Sequence, residues 1–145
     1  MDQRIIYQTD DGGVAILVPC DCGLTIEEIA AKDVPAGKPY TIVDVADISP
    51  DRKFRNAWEV DKGAIKTSVS KARDIAHKMR RMKRSDEFKP LDIDATIPDR
   101  AIGAEAKRAD VRTKYDALQI VIDAAKDVDE LLAAVAAIKG PPDAV

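Results

Sequence analysis

Aromatic side chains are scarce in this chain: two Phe, three Tyr and one Trp make up 4% of its 145 residues. A core must then be built mostly from Ala, Val, Ile and Leu, and the concentration of Ala beyond residue 100 suits close-packed helices. Cysteine is almost as rare. Cys20 and Cys22 form a lone Cys-Asp-Cys whose single intervening residue suits neither tetrahedral zinc nor a two-residue redox motif. With no second Cys/His pair to complete a site, two free thiols in a reducing compartment are expected, and no metal. No apolar run approaches the ~20 residues that span a bilayer. The opening MDQRII has no basic leader followed by a hydrophobic core and a cleavage site, so cytosolic synthesis without membrane association is the expectation.

A catalytic set is missing too. The one histidine, His77, lies in a basic segment with no evident carboxylate or serine partner, which argues against a general base. Neither GxxxxGK[ST] nor GxGxxG occurs, so nucleotide cofactors have no support. Asp10-Asp11-Gly12-Gly13 lacks the acidic spacing and the final Glu of an EF-hand. Asp92 and Asp94, on what reads as a Pro-flanked loop, have no ligand set around them and read as loop solvation and helix-end charge. The sequence therefore points to no enzyme and no cofactor.

What the chain does have is a pattern of charge. Residues 1–61 hold six Lys/Arg against twelve Asp/Glu, residues 62–90 ten against three, and residues 91–145 seven against eleven. A block of +7 thus sits between blocks of −6 and −4. It reads either as a solvated helix face or as a basic docking stripe for an acidic protein partner or nucleic acid. The segment KARDIAHKMRRMKR has no aromatic to stack on bases, and a chain of pI near 5.2 repels phosphate at long range, so nucleic acid is not favoured.

The expected fold is α+β: a small N-terminal antiparallel sheet with a short helix, then a helical C-terminal half of two to three helices. The expected divisions are 1–61, 62–140 and a polar tail 141–145. A chain of this length buries roughly 68–70% of its unfolded surface and needs no staple. RIIYQT at 4–9 and VAILV at 14–18 flank turn formers and read as a hairpin. The unbroken apolar run in the second strand hints at a sheet covered on both faces. Thr25 and Glu28 have capping-box spacing ahead of Ile26, Ile29 and Ala30. Tyr40 to Val45 reads as a third strand, and Ser49-Pro50 as the cap and first residue of a short helical turn.

After Asp61 the pattern turns helical. Ala72, Ile75, Ala76, Met79 and Met82 form one apolar stripe, with Lys71, Lys78, Arg81 and Arg84 directed elsewhere. Pro90 and Pro98 bracket a break, and Pro98 suits the opening of the next helix. Val111, Tyr115, Leu118, Ile122 and Ala125 follow a near-heptad seam. Val128, Leu131, Leu132, Val135 and Ile138 mark a last helix over 128–139, ended by Gly140-Pro141-Pro142. An apolar seam left uncovered between the long helices would be a partner site.

The block TIEEIAAKDVPAGKPYTIVDVADISPDRKFRNAWEVD, with Pro35, Gly37, Pro39, Asp44, Arg55, Asn56 and Trp58 in fixed order, resembles a segment of small proteins encoded among bacteriophage tail genes. The helical remainder, SVSKARDIAHKMRR and EAKRADVRTKYDALQIVIDAAKDVDELLA, is similar to the C-terminal portion of tail assembly chaperones and related tail proteins. The likeness spans roughly residues 3–138. It implies a non-enzymatic role through binding other tail proteins, in the host cytoplasm during assembly. Permanent residence in the virion tail, at the tip, baseplate or fibre attachment, is the alternative, and a DNA-contacting accessory protein the third. A homo-oligomer is left open. The resemblance puts partner binding on Phe54, Arg55, Asn56 and Trp58, and the charge pattern adds Lys78, Arg81 and Arg84. The competing reading has Phe54 and Trp58 sealing the seam between sheet and helices and Asn56 capping a turn.

Overall fold

The computed structural model describes residues 2–138, and the expected helix stop at Gly140-Pro141-Pro142 and the tail 141–145 lie outside them. The chain forms two compact units, Met1–Ser68 and Val69–Val145. It is an α+β protein, with its antiparallel strands in the first unit and long helices in the second.

In the first unit, β1 (Gln3–Gln8), β2 (Val14–Leu17) and β3 (Tyr40–Asp44) form an antiparallel sheet in the order β2-β1-β3. Central β1 pairs Ile6 with Ile16 on one side and with Thr41 on the other. Side chains alternate between sheet faces along a strand, and here both faces are covered. Ile5, with Leu17 and Ile42, packs on Ile26, Ile29, Ala30 and Val34 around helix α1 (Ile26–Asp33). Ile6, with Val14 and Ile16, packs on Trp58, Val60 and Ile65 of a second hairpin, β4 (Trp58–Asp61) and β5 (Ala64–Thr67). The unbroken apolar run in β2, and the adjacent Ile5 and Ile6 of β1, follow from this two-sided burial. The capping box at α1 is complete: Glu28 N–H donates to Thr25 Oγ1 at 3.2 Å, and Thr25 N–H to Glu28 Oε2 at 2.8 Å.

Three expectations fail in this unit. Residues 62–68 are not helical, because Lys62 (φ 50°) and Gly63 (φ 79°) turn the chain back into β5. The helical region starts at Val69 instead of 62. Pro50 opens no helix: Ser49 Oγ accepts from Asp51 N–H at 3.2 Å in a bend, which lies between the 3₁₀ turn Val45–Asp47 and the 3₁₀ segment Arg55–Ala57. Asn56 lies in that segment, exposed and with no side-chain cap.

The second unit contains α2 (Val69–Ala95), α3 (Pro98–Ala124) and α4 (Val128–Ala136). Pro90 lies inside α2 on its exposed side and does not break it, contrary to the sequence expectation. The break falls at Thr96-Ile97. Residues before proline avoid helical ψ, and Ile97 is extended (ψ 117°) ahead of Pro98, the first residue of α3. Asp92 and Asp94 are consequently helical rather than on a loop. Polar pairs fix α2 antiparallel to α3: Arg73 with Ala125, His77 with Asp123, Glu87 with Lys114, and Asp92 with Arg108. The seam runs through Ala104 and, one heptad on, through Val111, Tyr115, Leu118, Ile122 and Ala125 at four- and three-residue steps. All are buried except the half-buried Leu118, so this seam is covered, while Ile120 and Val121 beside it on α3 are exposed. On α2 the buried positions are Ala72, Ala76 and Arg80, while Met82, placed on the stripe by sequence, is exposed. Asp127 caps α4 by accepting from Glu130 N–H at 2.8 Å, and Leu131, Ala134, Val135 and Ile138 form its buried side.

Candidate binding surfaces

Around the 3₁₀ segment, the residues proposed as partner contacts separate into two kinds. Phe54 and Trp58 are interior side chains, at 3% and 2% exposure. Trp58 packs with Ile6 and Val14, so its large ring holds the second hairpin on the sheet. Arg55 lies across that ring, its guanidinium carbon 5.0 Å from the centroid, and Nη2 donates to Val14 O at 3.2 Å. Their chemistry is that of a core with a polar edge; the competing reading is right that Phe54 and Trp58 are buried, but Trp58 closes the sheet against the second hairpin rather than against helices.

Beside Arg55 the same sheet face carries an open groove of about 560 Å³. Ile16, Val18, Val45 and Ile48 supply its apolar wall, and Arg52 and Arg55 its basic side. Val18 is 68% exposed at the end of β2, and among the described residues no strand pairs with the edge of β2 away from β1. Only Arg55 of these residues was marked by sequence. The aliphatic wall was not, since β2 and the 3₁₀ turn Val45–Asp47, distant in sequence, assemble it.

On the helical unit, Lys78 and Arg81 are exposed and Arg84 is half-buried, its guanidinium 4.9 Å over the Phe88 ring. Arg81 and Arg84 line a cavity of about 520 Å³ together with Arg80, Ser85, Phe88, Asp116 and Gln119. Arg80 was missed by sequence because a charged residue on the inner stripe of a helix runs against the usual pattern.

His77 does have a carboxylate partner, 46 residues away: Nε2 lies 2.8 Å from Asp123 Oδ1. Nδ1 of His77 is buried without a hydrogen bond. Cys20 and Cys22 are free and exposed. A hydrogen bond between them pushes the Cys20 thiol above its ordinary value and holds Cys22 below it. Among the described residues no group of three His, Cys, Asp or Glu could hold a metal ion, and no helix is long and apolar enough to cross a membrane.

Comparison with family models, curated proteins and solved structures finds no match.

Proposed function

We propose that this chain is a non-enzymatic bacteriophage tail protein that binds another tail protein during assembly in the host cytoplasm, as a tail assembly chaperone does. The observation that carries this reading is the groove of the first unit, where an aliphatic wall, two arginines and an unpaired strand edge adjoin. An extended partner segment would pair its backbone along β2 and seat apolar side chains against Val18 and Ile48. A carboxylate of that segment would meet Arg52 or Arg55.

The test is co-expression with the tube, tape-measure and tip proteins of a tail gene cluster. One of them should co-purify in fixed stoichiometry, and Val18→Asp or Ile48→Asp should weaken the complex at least about tenfold with an unchanged melting curve. A chain that binds none of them, or only a second copy of itself, rejects the assignment. Mass spectrometry of purified particles then separates two roles: absence marks an assembly factor, and stoichiometric presence marks the virion component.

A further inference from the structure

We propose that the α2–α3 hairpin carries an oxyanion site, centred on Arg80, Arg81 and Arg84, that takes the phosphate group of a small phosphorylated molecule or free phosphate. Arg80 lies on the inner face of α2. It is only 8% exposed, its Nε is buried without a hydrogen bond, and no carboxylate pairs with it among the described residues. A guanidinium cannot shed its proton, and a buried charge without a counter-charge is strongly disfavoured. Arg73 and Arg108, the other inward arginines of this unit, also have an Nε without a hydrogen bond, but the rest of each guanidinium or a nearby carboxylate answers them. Arg73 donates to Ala125 O at 2.7 Å, and Arg108 pairs with Asp92 at 3.2 Å and Glu105 at 3.1 Å. Arg80 instead lines an open cavity.

The cavity's other walls suit the same ligand. Arg81 and Arg84 also lack ion pairs among the described residues, and the Phe88 ring under Arg84 holds its planar fork in place. Ser85 and Gln119 add a hydroxyl and an amide. Asp116 is the one carboxylate on the wall, so three guanidinium groups exceed it by two charges, the charge of a phosphate monoester above its second ionisation. Paired N–H donors of arginine match phosphate oxygens in geometry as well as in sign. A nucleic-acid polymer fits less well. Residues 91–145, which include α3, carry eleven acidic side chains against seven basic ones, and these would repel a continuous strand while leaving a single phosphate in the cavity undisturbed.

Binding of inorganic phosphate and of phenyl phosphate to the full chain, measured by calorimetry at constant ionic strength in chloride, tests the site. Saturable one-to-one binding of phosphate is expected, with the melting temperature raised relative to chloride. Arg80→Met should weaken binding at least about tenfold yet leave the unliganded melting temperature equal or higher, since it removes an unanswered buried charge. Arg84→Gln should weaken binding as well, and Lys107→Gln on the exposed side of α3 should not. Tighter binding of phenyl phosphate identifies an ester as the ligand; equal binding identifies the free anion. The proposal is overturned if phosphate acts no differently from chloride, or if Arg80→Met binds like the parent. Stronger binding of a duplex oligonucleotide, falling steeply with salt, would overturn it in favour of nucleic acid.

Discussion

Across the α2–α3 hairpin, the phenol of Tyr115 donates to Glu87 Oε1 at 2.7 Å, and Lys114 Nζ reaches the same oxygen at 2.8 Å. Tyr115 is the largest fully buried side chain of the chain, so its hydroxyl must find a partner, and a charged acceptor makes the stronger bond. Tyr115→Phe removes that bond and leaves the ring. It should destabilise the chain by about 1–2 kcal/mol in urea unfolding, through the charge-assisted hydrogen bond alone. A loss below a few tenths would mean that water replaces the phenol at no cost.

The same cluster sets an acid limit. Burial alone would raise the Glu87 carboxyl, but hydrogen bonds from Lys114 and Tyr115 outweigh it and hold the group below its ordinary value. Glu105 is lowered chiefly by its hydrogen bond from Arg112, and Asp86 by that from Lys89. Each carboxylate binds its proton less readily folded than unfolded, so its contribution is complete above the unfolded value of about pH 4.3 and fades as pH falls through the lower folded value. Tyr115 is shifted upward, first by burial and then by Glu87, so its contribution is complete below about pH 10 and is lost at more alkaline pH. Melting temperature against pH should be flat between these limits and fall at both ends. In Glu87→Gln the acid-side fall should be shallower.

These polar pairs also show why the sequence was legible in some places and opaque in others. The Thr25–Glu28 box, Pro98 at the start of α3 and the heptad seam depend on residues within a turn or two of each other, and all were readable. The partners of His77 and Arg73 lie 46 and 52 residues away, and spacing along the chain carries no sign of them. Met82 fits the helical period of its neighbours but is displaced from the inner face, which turns through Ala72, Ala76 and Arg80. The short β5 was lost because Lys62-Gly63 resembles the onset of a basic helix unless it is recognised as a two-residue hairpin turn.

That turn is itself testable. Both of its residues have positive φ, the geometry that favours Asn-Gly in tight hairpins. Lys62→Asn should stabilise the first unit by about 0.5 kcal/mol through the relieved backbone. Gly63→Ala should act in the opposite direction, because the added methyl would sit 3.0 Å from Thr41 Oγ1 at φ +79°. A cost of about 1–2 kcal/mol is expected from strain and crowding together. Circular dichroism at graded denaturant measures both. Equal effects of the same sign would refute the turn assignment.

Trp58 and Arg55 are neighbours with different expected costs. Trp58→Ala empties a site between Ile6 and Val14 and should destabilise by about 3–5 kcal/mol, the range for large buried aromatics. Arg55→Ala loses a ring contact and one hydrogen bond at a partly open position and should cost about 1 kcal/mol. If Trp58 served mainly as a contact for another protein, the two melting curves would instead coincide with that of the parent.

Pro90 is the sharpest disagreement between local preference and observed structure. Inside a helix, proline removes a backbone donor and crowds the carbonyl four residues earlier, here Asp86. Helix α2 nevertheless continues to Ala95, and the packing on either side explains how. Glu87 is bonded to Lys114 and Tyr115 before the proline, and Asp92 to Arg108 after it. The ring itself points to solvent and displaces no core atom. Pro90→Ala therefore restores a donor without opening a cavity, and should stabilise the helical unit by about 1–3 kcal/mol, up to the full helix-interior penalty of proline. The gain should shrink when Arg108→Ala is combined with Tyr115→Phe in both backgrounds, because α2 beyond the proline would then be held less firmly in the folded chain. A Pro90→Ala protein no more stable than the parent would mean that α2 pays no penalty at this position, and that the ion pairs flanking it are not what carries the helix through.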